Sequence, residues 1–449
     1  MFLNEIRGLK HLVKLVIKRL TGKGSSGLVK SILTANNDRL KSILFDHDSI
    51  FLSLNTNDEN IRCSNIEELT LNLIDCDMLG NLFKLIPNVR RLKINFGQSP
   101  GVSTTTLMNV SPLIQLKDFE LHSNGMFWEL SNIIDILCKT PSLHRLTLDL
   151  YTDDERLVNG QNFIIVLPSS LVEIQLFILY YFSELHIETD SLLATWPKHI
   201  PISCWLNEPH QYAIIHTIPY NVLSISILTT IGRHMLPGWK YMQSVEYLRI
   251  YGESFFIDVL MTVQHFHRLR QLKINVEHYS EESTMMQLIE PMNLHLPRLK
   301  HLQVEGKCKL FYLLKAAPNL SDLSIDFDCF NVLIDSESIY QILQQKIVCL
   351  EIFRLRDIHT LRLDAILKRF THIRHLVLSV KYSTALIDSL ISQALDMWKE
   401  DKQIYVCIEG LLSDEAKKIL RKWSIDHSHT QINDVFAVDY QNERIHFWL

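Results

Sequence analysis

The amino-acid sequence predicts an α/β solenoid, a stack of short repeats in which a parallel β-strand alternates with a helix. Three observations favour this fold class: an apolar strand pattern that recurs along the chain, helical periodicity between its copies, and prolines that end the helices. Each repeat of such a stack packs only on its neighbours, so one array can accommodate all 449 residues.

The strand pattern places apolar residues at positions i, i+3, i+6 and i+8, as in Leu9, Leu12, Leu15 and Ile17. Within each of two runs, successive copies end 21–30 residues apart, which leaves room for a helix in every repeat. The copies end at Ile17, Phe45, Leu71, Ile94, Leu121, Leu148 and Leu176, and then at Ile250, Ile274, Val304, Ile325, Leu355 and Leu378. We expect these apolar residues to form a continuous core.

Helices are predicted between the strands, where apolar residues recur at spacings of three and four. The predicted helices cover residues 77–85, 127–137, 255–263, 309–317 and 363–370. A proline follows several of them just before the next strand, and proline ends a helix because it lacks an N–H group and clashes with the preceding turn. These prolines are Pro87, Pro141, Pro297 and Pro318.

The same patterns divide the chain into four parts. Residues 1–184 and 241–380 carry the two runs of repeats, 185–240 form an irregular segment rich in proline and aromatic residues, and 381–449 form an α/β capping unit. The cap is expected because an end repeat must cover the core of its neighbour. Its last part contains two alternating runs, 436–440 and 445–449, around a polar turn.

Two segments leave alternatives open. Residues 9–20 fit a first repeat strand ending at Ile17, but their lysines and leucines also fit a basic amphipathic helix. The segment 185–240, with Trp196, Trp205 and Trp239, fits degenerate repeats with a long loop. That loop either contributes to partner binding or bridges the two runs by irregular packing.

Composition argues against several classes of protein. A net charge of −5 does not suit a dedicated nucleic-acid binder. The eight cysteines are scattered and contain no C-x-x-C pair, and Glu5 and Arg7 interrupt the start of the chain, so we expect reduced thiols and a cytoplasmic or nuclear location. Residues 163–182 are apolar but contain Pro168 and Glu173, so no membrane span is expected.

No motif predicts catalysis, a cofactor or a metal site. The segment 21–27 lacks the Gly-Lys-Ser/Thr end of a phosphate-binding loop, and His427 and His429 lack further ligands. His265 and His267 flank an anchor, Phe266, and are expected to face solvent. The sequence therefore predicts a protein that is not an enzyme.

Partner binding is predicted on the outward face of the strands, because side chains beside the buried anchors point away from the core. Charge alternates in sign along this face, which suits a protein or peptide better than a nucleic acid. Tyrosine and arginine dominate interface energetics, so Tyr247, Arg249 and Tyr251 are the first candidates. The other candidates are Lys273, Arg91, Lys93, Asp322, Asp326, Arg354 and Arg356. Asn72, His122, Asp149 and Phe177 are also placed outward.

The L-x-x-L-x-x-L-x-I strands, the repeat length and the proline-ended helices resemble the leucine-rich-repeat half of F-box/leucine-rich-repeat proteins. The resemblance implies a leucine-rich-repeat solenoid with a concave parallel sheet and helices on the convex side. It also implies that the array captures a substrate for a ubiquitin ligase. The helical F-box module that docks on a Skp-type adaptor of a cullin ligase is not found in this sequence, so such an adaptor is expected only if an F-box exists outside it. A stand-alone interaction or inhibitor protein is the alternative.

Overall fold

In the computed structural model, α-helices and mainly parallel strands build two compact units, Met1–Tyr220 and Asn221–Leu449. The predicted α/β class is confirmed. The residues that the structure describes are 11–18, 20, 28–34, 39–46, 49–54, 62–97, 104–183, 188–208, 211–229, 242–252, 256–275, 294–306, 310–334, 337–355, 370, 372–380, 384–397, 404–415, 417–418, 422, 436–439 and 444–448.

In the first unit, nine strands of the described residues form one sheet in the order β1-β2-β3-β4-β5-β6-β7-β9-β8. Neighbours from β1 to β7 are parallel, whereas β9 is antiparallel to both β7 and β8. The strands are β1 Lys14–Ile17, β2 Ser42–Phe45, β3 Glu68–Leu73, β4 Arg91–Phe96, β5 Asp118–Phe127, β6 Arg145–Thr152, β7 Glu173–Tyr181, β8 Ile202–Asn207 and β9 Tyr212–Thr217. The helices are α1 Leu28–Leu33, α2 Leu79–Leu85, α3 Leu130–Cys138, α4 Glu155–Val158, α5 Gly160–Ile165 and α6 Thr189–Ala194.

In the second unit, ten strands of the described residues form a sheet in the order β10-β11-β12-β13-β14-β15-β16-β17-β19-β18. Neighbours from β10 to β17 are parallel, and the hairpin β18–β19 adds to β17 in antiparallel fashion. The strands are β10 Ser224–Leu228, β11 Tyr247–Tyr251, β12 Gln271–Asn275, β13 His301–Glu305, β14 Asp322–Asp326, β15 Cys349–Leu355, β16 His375–Val380, β17 Tyr405–Glu409, β18 Phe436–Asp439 and β19 Arg444–Trp448. The helices are α7 Phe256–Val263, α8 Phe311–Ala316, α9 Phe327–Ile334, α10 Glu337–Lys346 and α11 Thr384–Met397.

The strand anchors are buried in register. Leu69, Leu92, Phe119 and Leu146 lie opposite one another on successive strands, and each is about 1% exposed. In the second unit the corresponding residues are Leu248, Leu272, Leu302, Leu323, Leu350 and Leu376, all exposed by 2% or less. Each such side chain contributes roughly 1.5–3 kcal/mol on burial. One face of each sheet therefore belongs to the core.

The helix α3 shows how local sequence sets the start of an element. The helix was predicted from Phe127, but Phe127 ends β5 and the helix begins at Leu130. A capping box fixes this start, because Glu129 and Asn132 satisfy each other's backbone N–H groups. From there Leu130, Ile133 and Ile136 face the core.

A β-hairpin closes each sheet, and one of the two was not predicted. The hairpin β18–β19 lies in the two alternating runs of the expected cap. The hairpin β8–β9 lies instead within 185–240, where degenerate repeats with a long loop were expected. Its strands read as irregular in sequence because both faces of β9 are buried, which removes the polar alternation of a strand with one solvated face.

Other predictions have mixed outcomes. Residues 14–17 form a strand rather than part of a helix. His265 is 8% exposed, so the prediction that it faces solvent was wrong: it lies directly after α7 among buried residues, whereas His267 is exposed. Of the helix predicted at 363–370, all but residue 370 lies outside the described residues. Among the described residues, no helix is long and apolar enough to cross a membrane.

Candidate recognition face

The outer face of each sheet, opposite the apolar anchors, carries the candidate residues. In the first unit its polar part lies on β3 to β6 and at the start of β7. Glu68, Arg91, Asp118, Arg145 and Glu173 stand opposite one another on successive strands with alternating charge. Because opposite charges face each other across strands, this row favours the observed register.

Ion pairs join neighbours on this face. Arg91 Nη2 lies 3.5 Å from Glu68 Oε1, and the Arg145 guanidinium donates to both oxygens of Asp118. One row along the strands, Lys93 Nζ lies 2.9 Å from Glu120 Oε2. The candidates Arg91 and Lys93 therefore already hold carboxylates of their own sheet. Exposed pairs of this kind contribute only about 0–1 kcal/mol each.

Two of the side chains expected to face solvent form a buried pair instead. His122 is 8% exposed and Asp149 only 3%, and His122 Nδ1 lies 3.4 Å from Asp149 Oδ2. Burial raises the pKa of Asp149, although His122 acts in the opposite direction. The pKa of Glu120 is lowered: burial would raise it, but His122 and Lys93 together outweigh that effect. Asn72, also expected outward, is fully buried and donates from Nδ2 to the carbonyl oxygens of Asp46 and Ser49.

Along β7, after Gln175, the outer face of the first unit becomes apolar. Phe177, placed outward by the sequence, is 3% exposed because Tyr220 packs on it with ring centroids 5.6 Å apart. His216 stands opposite Phe177 and contacts Trp205 with ring centroids 4.6 Å apart. Burial lowers the pKa of His216 to about 4, so its ring is neutral at pH 7. The hydroxyl of Tyr220 is buried and has no hydrogen-bond partner among the described residues.

In the second unit, three of the candidate residues come together with a residue that the candidate set omitted. Lys273 Nζ lies 3.2 Å from Glu305 Oε1, and Arg354 Nη2 lies 3.8 Å from Glu305 Oε2. Arg354 Nη1 also lies 3.1 Å from Asp326 Oδ2. Glu305 could have been found in the sequence, because it stands one strand from Asn275 in the same row. The sequence analysis named Arg354 but could not predict its contact with Glu305, since the pairing of β15 with β16 is irregular between Ile352 and Leu355.

The backbone of Arg354 is unusual, with φ of 59° in the left-handed region. A residue with a Cβ atom pays roughly 1–2 kcal/mol for this conformation. The conformation occurs where β15 departs from regular pairing, and the side chain then reaches two carboxylates. Asp326, the nearer of them, is 6% exposed, so its charge is compensated largely by Arg354.

One further candidate of the described residues, Asp322, stands apart from this network. Asp322 lies 3.3 Å from His301 Nδ1 and accepts a hydrogen bond from Ser321 Oγ. Burial acts to raise the pKa of Asp322, but the hydrogen bonds from His301 and Ser321 lower it to about 2. Arg356 lies outside the described residues.

Arg249 on β11 differs from the other strand cations. Seven lysines and arginines lie on the described strands β2 to β19, and six of them have a carboxylate oxygen within 3.5 Å. Arg249 has none among the described residues, and its buried Nε has no hydrogen-bond partner. Tyr247 and Tyr251 lie on the same face of β11, one row to either side, and both are half-buried.

The thiols and histidines of the described residues form no group of three or more that could hold a metal ion. The sequence segments 21–27 and 423–430, with His427 and His429, lie outside the described residues.

On β17, burial raises the pKa of the Cys407 thiol to about 12, so it is not an activated nucleophile. Its neighbour Tyr405 is hydrogen-bonded through its hydroxyl to His446 Nδ1 at 2.5 Å.

Neither the protein-family models nor the curated proteins compared with this sequence give a match.

Proposed function

We propose that this chain is a non-catalytic protein-recognition solenoid of the leucine-rich-repeat type, and that it is the substrate-binding part of an F-box-like ubiquitin-ligase adaptor. The observation that carries the proposal is the difference in side-chain character between the two faces of each sheet. One face buries apolar anchors in register, and the other presents polar and charged rows that neighbouring strands space evenly.

The parallel order of the strands supports the repeat assignment. From β1 to β7 and from β10 to β17, each strand pairs with the next strand of the chain. This order is what a solenoid requires, because each repeat adds beside the previous one. The buried anchors are the residues of the apolar strand pattern.

The charge distribution on the outer faces supports a protein or peptide as the ligand. In the first unit acidic and basic residues alternate from Glu68 to Glu173, and in the second unit Lys273, Glu305 and Arg354 also alternate. A nucleic acid has a uniformly negative backbone, which such a face would attract at some positions and repel at others. A folded protein can present charges of both signs in matching order.

The ligase part of the proposal is tested by immunoprecipitation of the full chain expressed in cells. We expect a Skp-type adaptor and a cullin in the precipitate, brought there by an F-box encoded with this chain or carried by a bound protein. If a stable partner is recovered in stoichiometric amount without either ligase component, the chain acts as a stand-alone interaction or inhibitor protein.

The recognition part is tested separately by proximity labelling in cells. The full chain is compared with a variant that reverses charges on the outer face, Lys273→Glu together with Arg249→Glu. A matched control, Lys315→Glu, reverses a charge on the exposed side of α8. We expect the outer-face variant to lose specific neighbours that the control retains; identical neighbours for all three proteins would rule out this face.

A further inference from the structure

Arg249 is a half-buried cation whose charge and N–H groups are not matched within the part of the chain that the structure describes. Its Nε is inaccessible to solvent and has no acceptor. Leaving a buried donor unsatisfied costs about 1–3 kcal/mol, and more for a charged group. The other six strand cations pair with carboxylates, whereas Arg249 pairs with none among the described residues. Its two terminal nitrogens, unlike Nε, are not buried without a partner, so they are open to an external acceptor.

The neighbours of Arg249 do not supply that acceptor. On one side, Ser226 of β10 stands opposite it, and on the other side stands Lys273 of β12. Lys273 is itself a cation, and its carboxylate partner Glu305 lies on the far side, on β13. Two positive charges thus stand side by side, with the carboxylate next to only one of them.

The local charge indicates which anion fits. On the neighbouring strands β11 and β12, Arg249 and Lys273 contribute two positive charges, and Glu305, which contacts Lys273, contributes one negative charge, which leaves one positive charge at Arg249. A single carboxylate neutralises this excess, whereas a phosphate dianion would exceed it. The guanidinium fork also matches a carboxylate in a bidentate arrangement.

The tyrosines on either side define the rest of the surface. Tyr247 and Tyr251 are half-buried on the same face as Arg249 and provide apolar ring area around the charge. Tyrosine and arginine together are the residue types most enriched among residues that dominate binding energy. An acidic side chain with apolar neighbours would meet both kinds of group.

We propose that Arg249, supported by Lys273 and flanked by Tyr247 and Tyr251, binds an aspartate or glutamate side chain of a partner peptide segment. This inference rests on the proposed recognition function and names the chemistry of the partner. The inference assigns the binding energy mainly to residues of β11. The cations of the first unit are not assigned to the partner, because they pair with carboxylates of their own sheet.

The test begins with selection of random displayed dodecapeptides on the purified full chain. The best peptide is then synthesised in three forms: the original, one with each Asp or Glu changed to Asn or Gln, and one with the acidic residue replaced by phosphoserine. We expect the selected peptides to be enriched in Asp and Glu. Conversion to the amide should weaken binding to the wild-type chain about 10- to 100-fold, the effect of losing a charged hydrogen bond.

The protein variants identify the site. The substitution Arg249→Gln should weaken binding of the acidic peptide about 10- to 100-fold. The variant protein should therefore bind the original peptide and its amide form with equal affinity. Arg270→Gln is the matched control: Arg270 directly precedes β12, is exposed, and its Nε lies 3.3 Å from Glu246 Oε2. Its loss should leave the affinity for the peptide unchanged. The amide peptide tests the same contact on the unaltered protein, so the outcome does not depend on whether a variant folds.

Several outcomes would overturn the inference. Failure to enrich acidic peptides, or equal losses for Arg249→Gln and Arg270→Gln, would remove the carboxylate site. Tighter binding of the phosphoserine peptide by tenfold or more would show that the site takes phosphate instead. A negative peptide result does not test recognition of a folded protein by this face, which the proximity-labelling comparison measures, so the carboxylate inference can fail while the recognition proposal stands.

Discussion

Arg354 Nη1 lies 3.1 Å from Asp326 Oδ2, and the arginine that makes this contact has a left-handed backbone with φ of 59°. Asp326 is 6% exposed. The structure therefore combines a strained backbone with an ion pair between a partly exposed arginine and a buried carboxylate on the outer face of the second unit. The effects of the two can be separated by substitution.

Replacement of Arg354 by alanine and by glycine should have different costs. Both variants lose the ion pair, but glycine adopts a positive φ without strain. We expect Arg354→Gly to lower the free energy of unfolding less than Arg354→Ala, by up to about 1 kcal/mol. Urea denaturation measures the difference. The control is the pair Glu351→Ala and Glu351→Gly on the regular part of β15, where glycine should be the worse choice; a similar order at position 354 would contradict the left-handed backbone.

Loss of the unmatched arginine should not destabilise the fold. Arg249→Met keeps the length of the side chain and removes a buried N–H group that has no acceptor, so we expect an unchanged or higher denaturation midpoint. Lys273→Met should lower the midpoint, because it takes the nearer cation from Glu305. A clear loss of stability in Arg249→Met would mean that Arg249 has a structural role rather than one in binding.

Acid should destabilise the first unit through His216. Its folded-state pKa of about 4 lies below the ordinary value of 6.5, so the unfolded chain binds the proton more readily between these values. The neutral ring contributes its full stability above pH 6.5, and that stability is lost as the pH falls toward 4. The loss amounts to roughly 3 kcal/mol.

The measurement is the free energy of unfolding of the wild type and of His216→Gln across this range. We expect the variant to lose less stability on acidification, since it has no group to protonate at this position. In both proteins Asp149 has the opposite effect on stability in acid. Its pKa is raised in the folded state, so the folded state takes up a proton more readily and is stabilised by it. The difference between the two curves therefore isolates His216, and parallel curves would exclude its role.

Gly160 should not tolerate a side chain. A Cβ atom there would lie 2.6 Å from Trp196 Cγ and 2.7 Å from the Thr195 carbonyl oxygen. Backbone atoms cannot move aside easily, so we expect Gly160→Ala to cost about 1–3 kcal/mol. Denaturation of this variant is compared with that of Gln161→Ala, an exposed neighbour on α5. Equal midpoints would show that α5 and the segment after α6 pack less closely than described.

Local patterns in the sequence determined the α/β class and, apart from β8 and β9, most of the strand positions and the side of most strands that enters the core. They could do so because side chains alternate between the two faces of a strand every two residues. A few apolar anchors therefore show which face of the strand enters the core. The alternating runs at 436–440 and 445–449 predicted the final hairpin for the same reason. Arg249 was selected by residue type alone.

Tertiary structure decided what covers each face and which charges meet. Lys273 and Glu305 are separated by slightly more than one repeat, and Tyr220 packs on Phe177 from beyond the hairpin β8–β9. Burial of His122, Asp149 and Phe177 likewise depends on distant segments of the first unit. Such contacts join residues far apart in sequence, so local sequence periodicity cannot predict them. Only the completed sheet brings these residues together.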